Sequence, residues 1–206
     1  MNIEKLNKTR VIGTRIFLGL IFFTAGMSKL YADHKFPGLI GPVWLEDRLA
    51  EHGLAMYARF IAWSQVVAGF LLLSQRFASL GAILTFPIIL NIFMVTVSMG
   101  WKGTPYVNAV FLLMNTYLLL ADYHKFKHIL SNKSVQVRLI PIQRNSIQAD
   151  WIWGTCLMMI LASVFVSRVN LIVGWVLCAL ALVTIVWNQL RKKSENNLKQ
   201  AETLPK

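Results

Sequence analysis

The sequence predicts an all-α integral membrane protein of about six transmembrane helices, a four-helix bundle core followed by a transmembrane helical hairpin. Three observations carry this reading. Of the 206 residues 56% are hydrophobic and only 15% charged, where a soluble domain carries about a quarter charged residues. The apolar residues fall in blocks, and about 20 in a row are what a helix needs to cross roughly 30 Å of hydrocarbon. Lipid offers the backbone no hydrogen-bond partner, so each block must satisfy its own groups as a helix.

The first block runs from about Val11 to Tyr31, behind a short basic tail of Lys5, Lys8 and Arg10. That order is also the order of a secretory signal. The block continues into Lys29 and bears a polar stripe that a discarded peptide would not need, so it is expected to remain as a helix. Residues 32–58 are polar and partly amphipathic: a Pro- and Gly-rich run from Phe36 to Pro42, then an interfacial helix from Trp44 to Met56. The second block spans about Phe60 to Ser74. The third spans Phe77 to about Met99, with Pro87 expected to kink it. A turn at Gly100 to Thr104 leads to Pro105, which opens a fourth block ending near Ala121. These four make a core over 1–124. A basic loop follows (125–149), then a hairpin (150–190) built from about Trp151–Ser167 and Leu171–Gln189. The polar tail (191–206) is expected to be disordered.

A net charge of +12 would suggest nucleic acid in a soluble protein. Here the basic residues lie in flanks and loops, so they are assigned to membrane orientation, with no nucleic-acid partner. Placing the N-terminus in the cytoplasm puts 14 of the 21 Lys and Arg on the cytoplasmic side and six outside, with Arg15 inside a helix. The positive-inside rule therefore favours both termini inside and an even number of spans.

Polar residues within a span usually face the bundle interior, so their spacing is informative. Arg15, Gly19, Phe22, Gly26 and Lys29 share one helix face. So do Asn108, Leu112, Asn115, Leu119 and Asp122, and likewise Gln65, Gly69, Leu72 and Arg76. Pro87, Asn91, Val95 and Ser98 form a fourth stripe. By depth, Arg15 and Asp122 are expected to form a structural ion pair near the cytoplasmic ends. Lys29, Gln65, Asn91 and Asn108 would line an outer polar pocket roofed by 32–58, where His34 and His52 lie. A blander reading stands beside each. Asn and Gln also act as hydrogen-bond glue between helices, and Gly19 and Gly26 as close-packing residues, while Lys29 can snorkel to the interface. No ligand spacing joins the histidines, so no metal site is expected. The hairpin helices show no such stripe, and Cys156 and Cys178 sit at different depths, as small packing residues rather than a disulfide.

The run from Arg15 through Gly19, Phe22 and Gly26 to Lys29-Leu30 resembles the opening helix of DoxX-like membrane proteins. The stretch Pro87-Ile-Ile-Leu-Asn91, followed by Gly103-Thr104-Pro105, is similar to that family's third helix and turn. The resemblance covers about residues 10–124 and implies a bacterial inner-membrane location. It also implies an accessory or anchor role in a quinone-linked or redox-stress oxidoreductase complex, with other complex subunits as partners. Related four-helix proteins with thiol chemistry use a membrane-embedded cysteine pair, and the first four helices here contain no cysteine. With no dinucleotide motif either, no catalytic residue and no covalently bound cofactor are expected, and a quinone is the expected ligand. The alternatives are a small-molecule or lipid carrier, or a non-catalytic scaffold whose basic loop meets lipid or a soluble partner.

Overall fold

The computed structural model describes residues 3–41, 43, 45–123 and 145–202. Its elements are α1 (Ile3–Leu30), a 3-10 turn (Ala32–His34), α2 (Leu45–Ala50), α3 (Ala55–Leu73), α4 (Ala78–Ser98), α5 (Thr104–Ala121), α6 (Asn145–Ser167) and α7 (Leu171–Glu202). Among the described residues six helices are long and apolar enough to span a membrane, with α1 counted from Asn7, α6 from Asp150 and α7 to Arg191. The chain is a multi-pass, all-helical membrane protein. It divides into two compact units, Met1–Arg138 and Leu139–Lys206.

In the first unit four long helices form a ring. α1 touches α3 and α5, and α4 touches the same two. Short links join α3 to α4 and α4 to α5, so these neighbours run antiparallel. The α4–α5 turn needs left-handed backbone at Gly100 (φ 65°) and Gly103 (φ 94°), which glycine adopts without a Cβ clash. Pro105 then stands in the first turn of α5, where its missing N–H leaves no gap.

The α1–α3 seam is the tightest. A Cβ on Gly69 would lie 2.4 Å from the Phe23 nitrogen, and one on Gly26 would lie 2.6 Å from the Ala62 carbonyl oxygen. The two backbones touch, as small residues allow in lipid, where van der Waals contact drives association. The glycines on the α1 stripe therefore serve packing. Beneath them Leu18, Phe22, Leu72, Ile89, Phe111 and Leu118 form the apolar core.

The interfacial helix expected from Trp44 to Met56 is shorter. α2 covers only Leu45–Ala50, a turn with Gly53 at φ 73° follows, and α3 already begins at Ala55. The glycine, in a conformation that a helix excludes, ends the element. Residues 36–41 instead fold back onto α1. Phe36 rests on Tyr31 (centroids 4.9 Å apart) and Phe23 (6.4 Å), and the Leu39 amide donates to Thr24 Oγ1 at 3.3 Å.

The second unit is a hairpin of α6 and α7. Asn170 caps α7, its Oδ1 accepting from the amides of Ile172 (3.0 Å) and Val173 (3.2 Å). Contrary to expectation, α6 carries a small-residue stripe: Cys156, Ile160, Ser163 and Ser167 are all buried, as are Cys178, Ala181 and Ile185 on α7. Its serines return their hydroxyls to their own helix, at Ile160 and Val164 carbonyls. This satisfies them within an apolar seam. A Cβ on Gly174 would meet the Ser167 Cα at 2.9 Å. Continuing that antiparallel register sets Cys178 opposite Ser163 and Cys156 opposite Ile185, and no disulfide joins the cysteines.

Two further boundaries differ. α6 starts at Asn145, inside the stretch read as the basic loop, of which 125–144 lies outside the described residues. α7 runs on to Glu202, through most of the tail expected to be disordered. Residues 191–202 hold neither Gly nor Pro, and most of them (Arg, Lys, Glu, Gln, Leu and Ala) have good helix propensity. An established helix propagates through them more easily than a new one would nucleate.

Candidate ligand-binding site

The four interior stripes meet the ring at two ends with different outcomes. At the end holding the N-terminal half of α1, Arg15 Nη2 donates to Asp122 Oδ2 at 2.5 Å, and Ser79 Oγ donates to the same oxygen at 2.8 Å. Three helices are thereby tied: α1, the start of α4, and the C-cap of α5. Asp122 is buried, and Arg15 retains one buried nitrogen, Nε, without a partner. Further in, Asn115 is fully buried and its Nδ2 donates to the Ala82 carbonyl at 2.9 Å. It bridges α5 to α4, the hydrogen-bond glue reading.

At the opposite end the ring encloses a cavity of about 180 Å³. α1 contributes Phe22, Ala25 and Lys29, α3 contributes Gln65, α4 contributes Ile92 and Thr96, and α5 contributes Val107, Asn108 and Phe111. Phe22 and Phe111 meet edge to face with centroids 6.1 Å apart, and they lie on the cavity wall nearest the core. Ile40 and Gly41 of the folded-back link, with Trp101 and Thr104 of the α4–α5 turn, complete the lining.

Lys29 is 8% exposed. Its ammonium donates to the Ala25 carbonyl at 3.2 Å and to Gln65 Oε1 at 3.1 Å. Both acceptors are neutral, and among the described residues no carboxylate pairs with it. An ammonium has three N–H donors, so one remains for a ligand. The link passes beside this ammonium at Gly41, which takes a left-handed φ of 111°; a Cβ there would stand 3.7 Å from Lys29 Nζ, an ordinary contact. Across the cavity Asn108 is 7% exposed and its Nδ2 is buried without a hydrogen-bond partner. Leaving such a donor unmade in the interior costs about 1–3 kcal/mol. A ligand carrying acceptors would recover this.

Asn91 does not join this cavity. It is exposed on another face of α4, with Nδ2 turned to the Pro87 carbonyl of its own helix at 2.9 Å. It lines instead a wider groove shared with α2 and the α4–α5 turn. The cavity-facing positions of α4 are Ile92 and Thr96, one residue further along the same helix. Neither histidine of the supposed roof lines the cavity. His34 Nδ1 lies 3.1 Å from the Ser28 carbonyl, and His52 lines the groove. The residues missed by the stripe argument (Ile92, Trp101, Phe111) are apolar or at a turn, and nothing in their spacing distinguishes them from core.

Over 137 residues, 61% of this chain and 85% of the relative, the sequence is 28% identical to the uncharacterized protein YwoB of Bacillus subtilis (strain 168). No family model matches the chain. No solved structure matches it either.

Proposed function

We propose that the chain is a DoxX-like protein of a bacterial inner membrane, an accessory or anchor subunit of a quinone-linked or redox-stress oxidoreductase complex. In this reading both termini are cytoplasmic, and the cavity between Lys29, Gln65 and Asn108 holds a quinone headgroup non-covalently. The observation that carries it is the pair of unspent donors, on Lys29 and Asn108, in a mainly apolar chamber. A quinone headgroup is an apolar ring with two carbonyl acceptors, the complement of such a lining. A dry cavity of about 150 Å³ takes a benzene ring, so about 180 Å³ suits a single six-membered ring. Supporting the DoxX-like reading, the Arg15-to-Leu30 motif supplies one member of each polar site, Arg15 and Lys29.

Titration of the purified protein with a short-chain benzoquinone, followed by tryptophan fluorescence, tests the pocket, because Trp101 lines it. Saturable quenching is expected. It should weaken at least tenfold in Lys29→Met, where a charged hydrogen bond is lost, and persist in Asn91→Ala. Absence of saturation, or equal quenching in Lys29→Met, removes the quinone reading. Co-purification of a flavoprotein or haem subunit from native membrane would support the accessory role.

A second reading, a carrier for a small molecule, draws on the polar residues beyond the Phe22–Phe111 pair: Asn115 and the Arg15–Asp122 site continue the interior toward the other end. Flux into liposomes by the protein alone would favour it.

A further inference from the structure

The groove that takes in Asn91 is larger than the cavity, about 920 Å³, and is open. It lies where α2, the last turns of α4 and the α4–α5 turn meet. Its chemistry is divided. One part is basic: Arg48 of α2, Lys102 of the turn, and His52. The other part is the α4 face of Asn91, Met94, Val95 and Ser98, with Met99 beyond it. Those four positions stand at i, i+3, i+4 and i+7, so they form one continuous strip, about 10 Å long at 1.5 Å per residue. Met94 is 53% exposed, and the neighbouring Leu90 and Val97 are 41% and 48% exposed. The strip therefore runs into the lipid-facing surface of a helix that spans from Ala78 to Ser98. Lys102 stands just past the end of that span.

We infer that this groove binds an anionic phospholipid, its phosphate between Arg48 and Lys102 and an acyl chain along the Asn91–Ser98 strip. Charge and placement both point to this occupant. Of the groove's ionisable side chains only Glu51 is acidic, and it lies 3.6 Å from Arg48 at an exposed site, where a pair of this kind is worth little. Lys102 pairs with no carboxylate among the described residues. Glu46 of α2 is held by Arg59 at 2.5 Å. Basic side chains at the ends of spans attract anionic headgroups by about 1 kcal/mol each, that is, about fivefold. A soluble phosphate could use the same two cations, yet it would leave the strip uncovered.

Trp101 gives the site a local reporter, since it lines both the groove and the inner cavity. The full-length protein in detergent is given equal amounts of phosphatidylglycerol and phosphatidylcholine with matched chains, and retained lipid is counted by native mass spectrometry. Preference for phosphatidylglycerol of about 25-fold, about fivefold from each cation, is expected. It should fall to near parity in Arg48→Gln/Lys102→Gln and survive in Arg48→Lys/Lys102→Arg. Brominated acyl chains on phosphatidylglycerol should quench a tryptophan signal that Trp101→Phe removes. The same preference in the Gln double variant would overturn the proposal, as would bromolipid quenching unchanged by Trp101→Phe. Full displacement of the lipid by glycerol phosphate would also overturn it, assigning the site to a soluble phosphate. If the Gln variant precipitates, the bromolipid arm on the native charges still decides.

Discussion

The two ends of the four-helix interior each contain a cation, Lys29 buried and Arg15 partly so, and only Arg15 is neutralised. Arg15 meets a carboxylate that a serine hydroxyl also supports, and the three groups join α1, α4 and α5. Lys29 meets two neutral oxygens, one of them on its own helix, and faces a chamber with an orphaned amide on the far wall. The first arrangement has its counter-charge within the fold, although Arg15 Nε stays unpartnered. The second is complete only with a guest. In a membrane interior, where polar groups are expensive and water scarce, that difference separates polarity that holds a fold from polarity that awaits a ligand.

The contrast can be broken most forcefully at Asp122. Asp122→Ala leaves the Arg15 guanidinium buried without a counter-charge, and a loss of about 3–5 kcal/mol is expected. It would be read as a large drop in thermal unfolding temperature in detergent. Arg15→Leu/Asp122→Leu should recover most of it, since an apolar pair of similar volume often replaces a buried ion pair without loss. If the double variant is as unstable as the single one, the pair is not what holds this end. Lys29→Met should behave oppositely. Removing an uncompensated buried charge is expected to leave stability unchanged or raise it by about 1 kcal/mol, while ligand binding falls at least tenfold. A collapse of stability in Lys29→Met would place Lys29 in the same class as Arg15 and dissolve the contrast.

A smaller effect belongs to Asn108. Replacement by Leu removes the orphaned Nδ2 and fills part of the chamber, so unfolding should need about 1 kcal/mol more. Affinity for a carbonyl ligand should weaken by about tenfold. Asn115→Leu, two turns along the same helix face, tests the ligand role alone: it removes the bond to the Ala82 carbonyl together with a buried, unpartnered Oδ1, so the loss of about 0.6 kcal/mol for such a bond is offset and stability should change little, with ligand affinity unmoved. Identical behaviour of the two variants would mean that the cavity has no special claim on Asn108.

How much of this was legible in the sequence depends on what each stripe had to choose between. Residues Arg15 to Lys29 and Asn108 to Asp122 carry charges at i, i+3 and i+4 spacing inside apolar runs, and a charge in a span has only the interior to face. Both stripes were readable for that reason, including which residue would sit opposite which. On α4 the spacing was equally regular but carried no charge. Asn91, Val95 and Ser98 could face the interior or the groove at similar expense, because Asn91 can satisfy itself on the Pro87 carbonyl. The α6 stripe escaped because Cys156, Ser163 and Ser167 look apolar or incidental one at a time, and their serines are satisfied within their own helix. The extent of α7 was hidden for a different reason: a stretch polar on every side has no hydrophobic period to read.

Asn91 supplies the finest test of the comparison, because it is the residue that spacing alone would put in the cavity. Its amide is exposed and bonded to the i−4 carbonyl of its own helix, so it closes no gap between helices. Asn91→Ala should change stability by no more than about 0.5 kcal/mol, the usual range for surface substitutions, and leave quinone quenching of Trp101 intact. Ile92 lies one position on and does line the cavity. Ile92→Trp should therefore block the ligand where Asn91→Trp does not. If both bulky replacements block equally, α4 presents its Asn91 face to the ligand after all, and the division between cavity and groove at Trp101 is not the one the ligand meets.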